Sequence, residues 1–141
     1  MKTKEVAYII LIVLMFQSCV NNKPKQSDKD NGTPVLAVQN EIHNFGSMEA
    51  GEIVSYSFKV TNNGEGNLII DSVNYSCGCL EVRWTENPIK KGESGYVSVT
   101  YDSSGEWGNM YKTIEIFSNA EETKKNIYIA AKVNNQLFNQ E

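Results

Sequence analysis

Ile53-Val54-Ser55-Tyr56-Ser57-Phe58-Lys59-Val60-Thr61 (IVSYSFKVT) alternates apolar and polar side chains along almost its whole length. Successive side chains of an extended chain point to opposite faces, so Val54, Tyr56, Phe58 and Val60 share one face and Ser55, Ser57, Lys59 and Thr61 the other. At the helical period the same residues would scatter around the axis. The stretch therefore predicts a half-buried strand, with one face toward a core and one toward water.

The pattern recurs on the C-terminal side. Tyr96-Val97-Ser98-Val99-Thr100-Tyr101 turns Val97, Val99 and Tyr101 inward. Ile114 and Ile116 share a face of one later strand, and Ile127, Ile129, Ala131 and Val133 a face of the next. Shorter strands are expected at Val35 to Asn40, Asn67 to Tyr75 and Leu80 to Trp84, making about seven. Turn signals lie between them at Ala50-Gly51-Glu52, Asn62-Asn63-Gly64-Glu65-Gly66, Lys91-Gly92-Glu93 and Ser118-Asn119-Ala120. Pro88 lacks an N–H and belongs to a loop or a sheet edge. Short strands at this spacing with no convincing helix predict an all-β fold, an immunoglobulin-like antiparallel β-sandwich. Strand number alone also allows a small closed barrel.

Upstream, Met1-Lys2-Thr3-Lys4 precedes the apolar run Val6 to Phe16 and then Gln17-Ser18-Cys19. That run is shorter than the roughly 18 to 20 residues that span a bilayer, and residues 1–18 are expected to be a signal peptide. A small residue followed by Cys resembles a bacterial lipobox, in which Cys19 becomes the acylated N-terminus. Residues 19–33 are polar and carry Pro24 and Gly32, so they read as a flexible tether. Residues 34–135 form the domain and residues 136–141 a frayed tail. The expected location is the bacterial cell envelope, lipid-anchored, periplasmic or associated with the outer membrane. The net charge of −4 and the lack of a basic patch argue against nucleic acid as a partner. The partners expected are the membrane, through the lipid, and other envelope proteins.

Several motifs occur in a fixed order: Asn44-Phe45-Gly46 with Gly51-Glu52, Phe58 to Gly64, Leu68-Ile69-Ile70, Ser76-Cys77-Gly78-Cys79, Pro88-Ile89 with Gly92-Glu93, and Ser118-Asn119. This order resembles the bacterial family catalogued as domain of unknown function 1573, whose members are often lipoproteins and are similar to hydin-type and major sperm protein modules. The resemblance implies an immunoglobulin-like fold and an envelope location, and brings no catalytic residues. Leu80 stands where the family usually has Thr, and Lys91 where it usually has Pro.

Candidates for chemistry are few. His43 is the only histidine, and no nucleophile stands at a recognisable spacing from it, so a structural or surface role is expected. The remaining cysteines, Cys77 and Cys79, are separated by Gly78. In a flat strand their Cα atoms would lie about 6.6 to 6.8 Å apart, at the long edge of disulfide geometry. A bridge would need a bend at Gly78, which a positive φ would permit.

Three readings of the pair stay open. It is a structural corner, bridged or reduced; or a redox-active pair, with Arg83 the only nearby charge; or a soft-metal site for Cu(I) completed by a methionine. No metal site is assigned, and no cofactor is expected. Trp107, in the loop Asp102 to Gly108, either covers one end of the core or is a partner contact. The function these features point to is a membrane-anchored, non-catalytic binding or assembly module. The alternative is a thiol redox or Cu(I)-binding envelope protein.

Overall fold

The computed structural model describes residues 32–135. The signal segment, Cys19, the tether up to residue 31 and the tail 136–141 lie outside the described residues. Eight strands follow one another: β1 (Leu36–Val38), β2 (Ile42–Glu49), β3 (Ile53–Asn62), β4 (Ile70–Tyr75), β5 (Leu80–Trp84), β6 (Ser94–Asp102), β7 (Gly108–Ser118) and β8 (Lys124–Asn134). They form two four-stranded sheets, in the orders β1-β3-β6-β5 and β2-β8-β7-β4. Without β2, the order is that of the two immunoglobulin sheets.

The eighth strand comes from a switch between sheets. β1 pairs with the end of β3 for three residues, Leu36–Val38 opposite Asn62–Val60. The chain then crosses to the other sheet and runs as β2 alongside β8. The β2–β8 pairing is parallel, the one departure from the expected antiparallel order. A bulge between Asn44 and Ser47 interrupts β2, where Gly46 takes a φ of 78° and its N–H is held by Asn44 Oδ1 at 2.8 Å.

The inward faces match the alternation. Phe58, Val60, Val97, Val99, Tyr101, Ile114, Ile116, Ile127, Ile129 and Val133 are no more than 1% exposed and fill the space between the sheets. Val54 and Tyr56 face the same way yet are only half-buried, because β1 flanks β3 only from Val60 onward. On the outer face, hydroxyls pair across β3 and β6: Ser55 with Thr100 at 2.9 Å, Ser57 with Ser98 at 2.6 Å and Thr61 with Ser94 at 3.0 Å. Each such cross-strand pair contributes roughly 0.2 to 1 kcal/mol.

The connections fall at two ends. One end holds the β3–β4 loop, the β5–β6 loop with Pro88, the β7–β8 hairpin and the point where the chain enters. Thr33, which by sequence closes the tether, accepts a hydrogen bond there from Glu65 N at 3.1 Å, so the folded part begins slightly earlier than residue 34. The other end holds the turn 50–52, the crossing 76–79, the loop 103–107 and the end of β8, where Ala50 N donates to Asn134 O at 2.8 Å.

Candidate functional site

At the entry end, the motifs serve as backbone ties. Asn62 is fully buried; its Oδ1 accepts from Val35 N at 3.3 Å and Gly64 N at 3.0 Å, and its Nδ2 donates to Gly66 O at 2.5 Å and Ile89 O at 2.9 Å. One side chain thus satisfies four main-chain groups, three of them in buried bonds and one in a partly buried bond. Asn119 works in the same way, accepting from Ile69 N at 2.8 Å and donating to Asn67 O at 2.9 Å. Ile89 pairs its main chain with Leu68 and is buried.

The two Gly-Glu pairs share one device. Gly51 and Gly92 have φ of 93° and 75°, a conformation open to glycine without strain. The following Glu reaches back to the N–H three residues earlier: Glu52 Oε2 to Glu49 N at 2.9 Å, and Glu93 Oε2 to Lys90 N at 3.3 Å.

At the far end, the cysteine motif makes the crossing from β4, at the edge of one sheet, to β5, at the edge of the other. Cys77 and Cys79 are joined by a disulfide with their Cα atoms 5.2 Å apart, well inside the flat-strand spacing. Leu80 N donates to Cys77 O at 3.4 Å, and Asp102 N to Cys79 O at 2.9 Å. Gly78 is absent from the glycines with positive φ, so the bend is made without the left-handed conformation expected of it. Both cysteines are half-buried against the core, and Leu80, in place of a hydroxyl residue, is buried within it. Arg83 lies away from the pair, bound to Glu81 at 2.7 Å on the outer face.

Around this corner the end is packed with polar groups. Ser103 is fully buried. Its Oγ accepts from Gly51 N at 3.1 Å and stands 3.1 Å from Glu49 O and 2.9 Å from Glu52 O, which ties the loop after β6 to the turn before β3. Sequence reasoning missed this residue, since a serine in a polar loop carries no sign of burial. Lys112, on the inward side of β7, binds Glu106 at 2.6 Å with both side chains largely covered. Tyr101 is fully buried, and its hydroxyl has no hydrogen-bond partner among the described residues. Burial, then the charges of Glu106 and Asp102, push its pKa up to about 12.

Trp107, next in the same loop, is 55% exposed. The sequence's two candidate sites, the cysteine pair and the tryptophan, therefore occupy the same end of the sandwich. His43 lies elsewhere, on β2 with its ring flat against Tyr56 at 3.6 Å between centroids and edge-on to Phe45. Burial lowers its pKa. Among the described residues, no three His, Cys, Asp or Glu side chains gather as a metal site.

Residues 36–133 match the family described as "Protein of unknown function (DUF1573)". The chain belongs to this family. The motifs of DUF1573 as they stand here are thus turn closures and crossings of an immunoglobulin-like sandwich. Comparison with curated proteins finds no match. Among solved structures, a protein of unknown function from Porphyromonas gingivalis is similar with a TM-score of 0.64 and 22% identity, over 79% of this chain and 51% of that one. The VesB protease of Vibrio cholerae is similar with a TM-score of 0.56 and 19% identity, over 70% of this chain and 31% of that one. A human PapD-like domain, from CEP192, is similar with a TM-score of 0.52 and 12% identity, over 83% of this chain and 96% of that one. The chain spans about half the length of the Porphyromonas protein and under a third of the Vibrio one. At these identities the likeness is one of fold.

Proposed function

We propose that this DUF1573 chain is a lipid-anchored envelope protein whose domain is a non-catalytic binding or assembly module, presenting the end that carries Trp107 to another envelope protein. The observation that supports this reading is the placement of Trp107, exposed at the end opposite the one where the chain enters at Gly32. A tether from Cys19 would join the domain at the opposite end and leave the Trp107 end uncovered by the attachment. A large exposed indole on a loop is the kind of side chain that anchors protein interfaces.

The test is a photo-crosslinking residue in place of Trp107 in the full-length chain, expressed in its own envelope, with the same residue at the exposed Asp71 on β4 as control. A discrete adduct with an envelope protein from position 107 is the expected result; no adduct, or equal adducts from both positions, would sink the reading. Anchoring is tested separately by Cys19→Ser, which should move the protein from the membrane to the soluble fraction.

A second reading draws on the half-buried Cys77–Cys79 bridge at the same end. Here a dithiol partner would reduce the bridge to two thiols and be oxidised to its own disulfide, or the thiols would take Cu(I). Thiol titration and Cu(I) binding on the reduced protein, with Cys77→Ser and Cys79→Ser as controls, separate this reading from the first.

A further inference from the structure

Sheet edges are templates for association, and three of the four here carry features that discourage it. β2 has the Gly46 bulge, β4 has a register irregularity between Ile70 and Ser72, and β5 is short and carries the charged pair Glu81 and Arg83. The fourth edge is formed by the short β1 and, beyond it, by β3. β1 covers β3 from Val60 to Asn62, and no described strand pairs on that side with Ile53 to Lys59. That stretch has no proline, no bulge and, until Lys59, no charge.

The main-chain groups at this edge can be assigned by alternation. Asn62 N bonds Glu93 O on the β6 side, and Asn63 N bonds Val35 O on the β1 side. In a regular antiparallel strand the odd-numbered residues Ile53, Ser55, Ser57 and Lys59 therefore turn their N–H and C=O toward the open edge. The inward side shows the same incompleteness: Phe58 and Val60, flanked by β1 or next to it, are buried, whereas Val54 and Tyr56 are only half-covered.

We propose that Ile53–Lys59 is a dimer edge, pairing antiparallel with the same stretch of a second copy about a two-fold axis at Tyr56. Tyr56 is the midpoint of the open stretch, so this register uses all of it. It sets Ser55 opposite Ser57 of the second copy, Ile53 opposite Lys59, and Val54 opposite Phe58. Odd residues meet odd residues, as the direction of their N–H and C=O groups requires. No like charges face each other, since the two Lys59 side chains stand about 20 Å apart at opposite ends of the pairing. On the inner face, Val54, Tyr56 and Phe58 of the two copies form one continuous apolar row, which covers what a single copy leaves half-exposed. The contact is isologous and closes on itself, leaving no further edge of this kind for a third copy. It does not depend on Trp107, so either reading can fail alone.

The experiment measures the oligomeric state of the soluble domain by sedimentation equilibrium across a concentration series, with amide exchange at Ser55, Ser57 and Lys59. A monomer–dimer equilibrium with these amides slowed in the dimer is expected. Ser55→Lys combined with Ser57→Lys opposes lysines twice on the outer face and should weaken dimerisation roughly tenfold or more. Ser55→Glu combined with Ser57→Lys opposes unlike charges in the same register and should restore it. Thermal unfolding of each variant checks that the outward substitutions leave the fold intact. A chain that stays monomeric at sub-millimolar concentration would overturn the proposal. So would a dimer equally tolerant of both double variants, or a monomer whose edge amides are slowed only by an added alternating apolar peptide.

Discussion

Asn62 Nδ2 donates to Ile89 O across 2.9 Å, holding the end of β3 to the loop that leads into β6. The same side chain serves Val35, Gly64 and Gly66, so Asn62→Ala would strand several buried main-chain groups at once. Each unsatisfied group costs roughly 1 to 3 kcal/mol, and the expected loss is about 3 kcal/mol or more. Urea unfolding of the variant checks this; a loss under about 1 kcal/mol would mean that the loop finds other partners.

Glycine substitutions should divide by place rather than by motif. A Cβ on Gly64 would press into the backbone of Thr33 to Val35, and one on Gly95 would stand 2.6 Å from Ile89 Cδ1. Gly78, inside the cysteine motif, has open space around its Cβ position and no positive φ. Gly64→Ala and Gly95→Ala are expected to cost about 1 to 3 kcal/mol, and Gly78→Ala less than about 0.5 kcal/mol. Melting temperatures of the three variants, measured side by side, decide it.

The disulfide closes so short a loop that its effect on the unfolded chain is small. Chain entropy for a ring of this size is about 1.5 kcal/mol, so the double variant Cys77→Ser, Cys79→Ser should fold and lose no more than about that amount. Reductant should shift the wild-type melting curve to a similar extent and leave the double variant unmoved. A collapse of the fold in either case would contradict the assignment of the corner's stability to packing and to the Asp102–Cys79 main-chain bond.

A half-buried ring, His43, and a buried one, Tyr101, each add a pH dependence to stability. Burial holds His43 below its ordinary 6.5, so the unfolded chain takes up its proton first as pH falls. Stability from this group is complete above about 6.5 and is lost as pH falls through that value toward the folded pKa. Tyr101 behaves in the opposite sense, with its pKa raised from 10.0 to about 12. Its contribution is complete below 10 and is lost as pH climbs from 10 toward 12. His43→Phe should flatten the acid limb and Tyr101→Phe the alkaline limb of a stability–pH curve. Because the Tyr101 hydroxyl has no hydrogen-bond partner among the described residues, Tyr101→Phe should be no less stable than wild type at neutral pH.

The strands that alternate strictly, β3, β6 and β8, could be read from sequence because one buried face imposes period two. β2 could not, since the bulge at Gly46 breaks its alternation and its partner β8 lies far along the chain and runs parallel to it. The cysteine pair and Trp107 stood out as residue types, but their meeting at one end depends on which loops cross between sheets. Ser103 and Asn62 were hidden for another reason: a polar side chain is buried only where main-chain groups need it, and that need arises from loops packing against each other.

The position of Gly32 relative to Trp107, at opposite ends of the sandwich, also sets how the domain would respond to being pulled. A load applied where the chain enters and resisted at the Trp107 end runs along the strands, so the ladders of hydrogen bonds are strained in shear, many at a time, rather than unzipped singly. The main-chain ties on Thr33, Pro34 and Val35, with the Asn62 clamp on Val35 N, are first in line, and the three-residue pairing of β1 with β3 follows them. Under tension these ties and β1 would give way first, drawing Leu36 out of the margin of the core, and the domain would lengthen by a few residues of chain while the remaining strands stay paired.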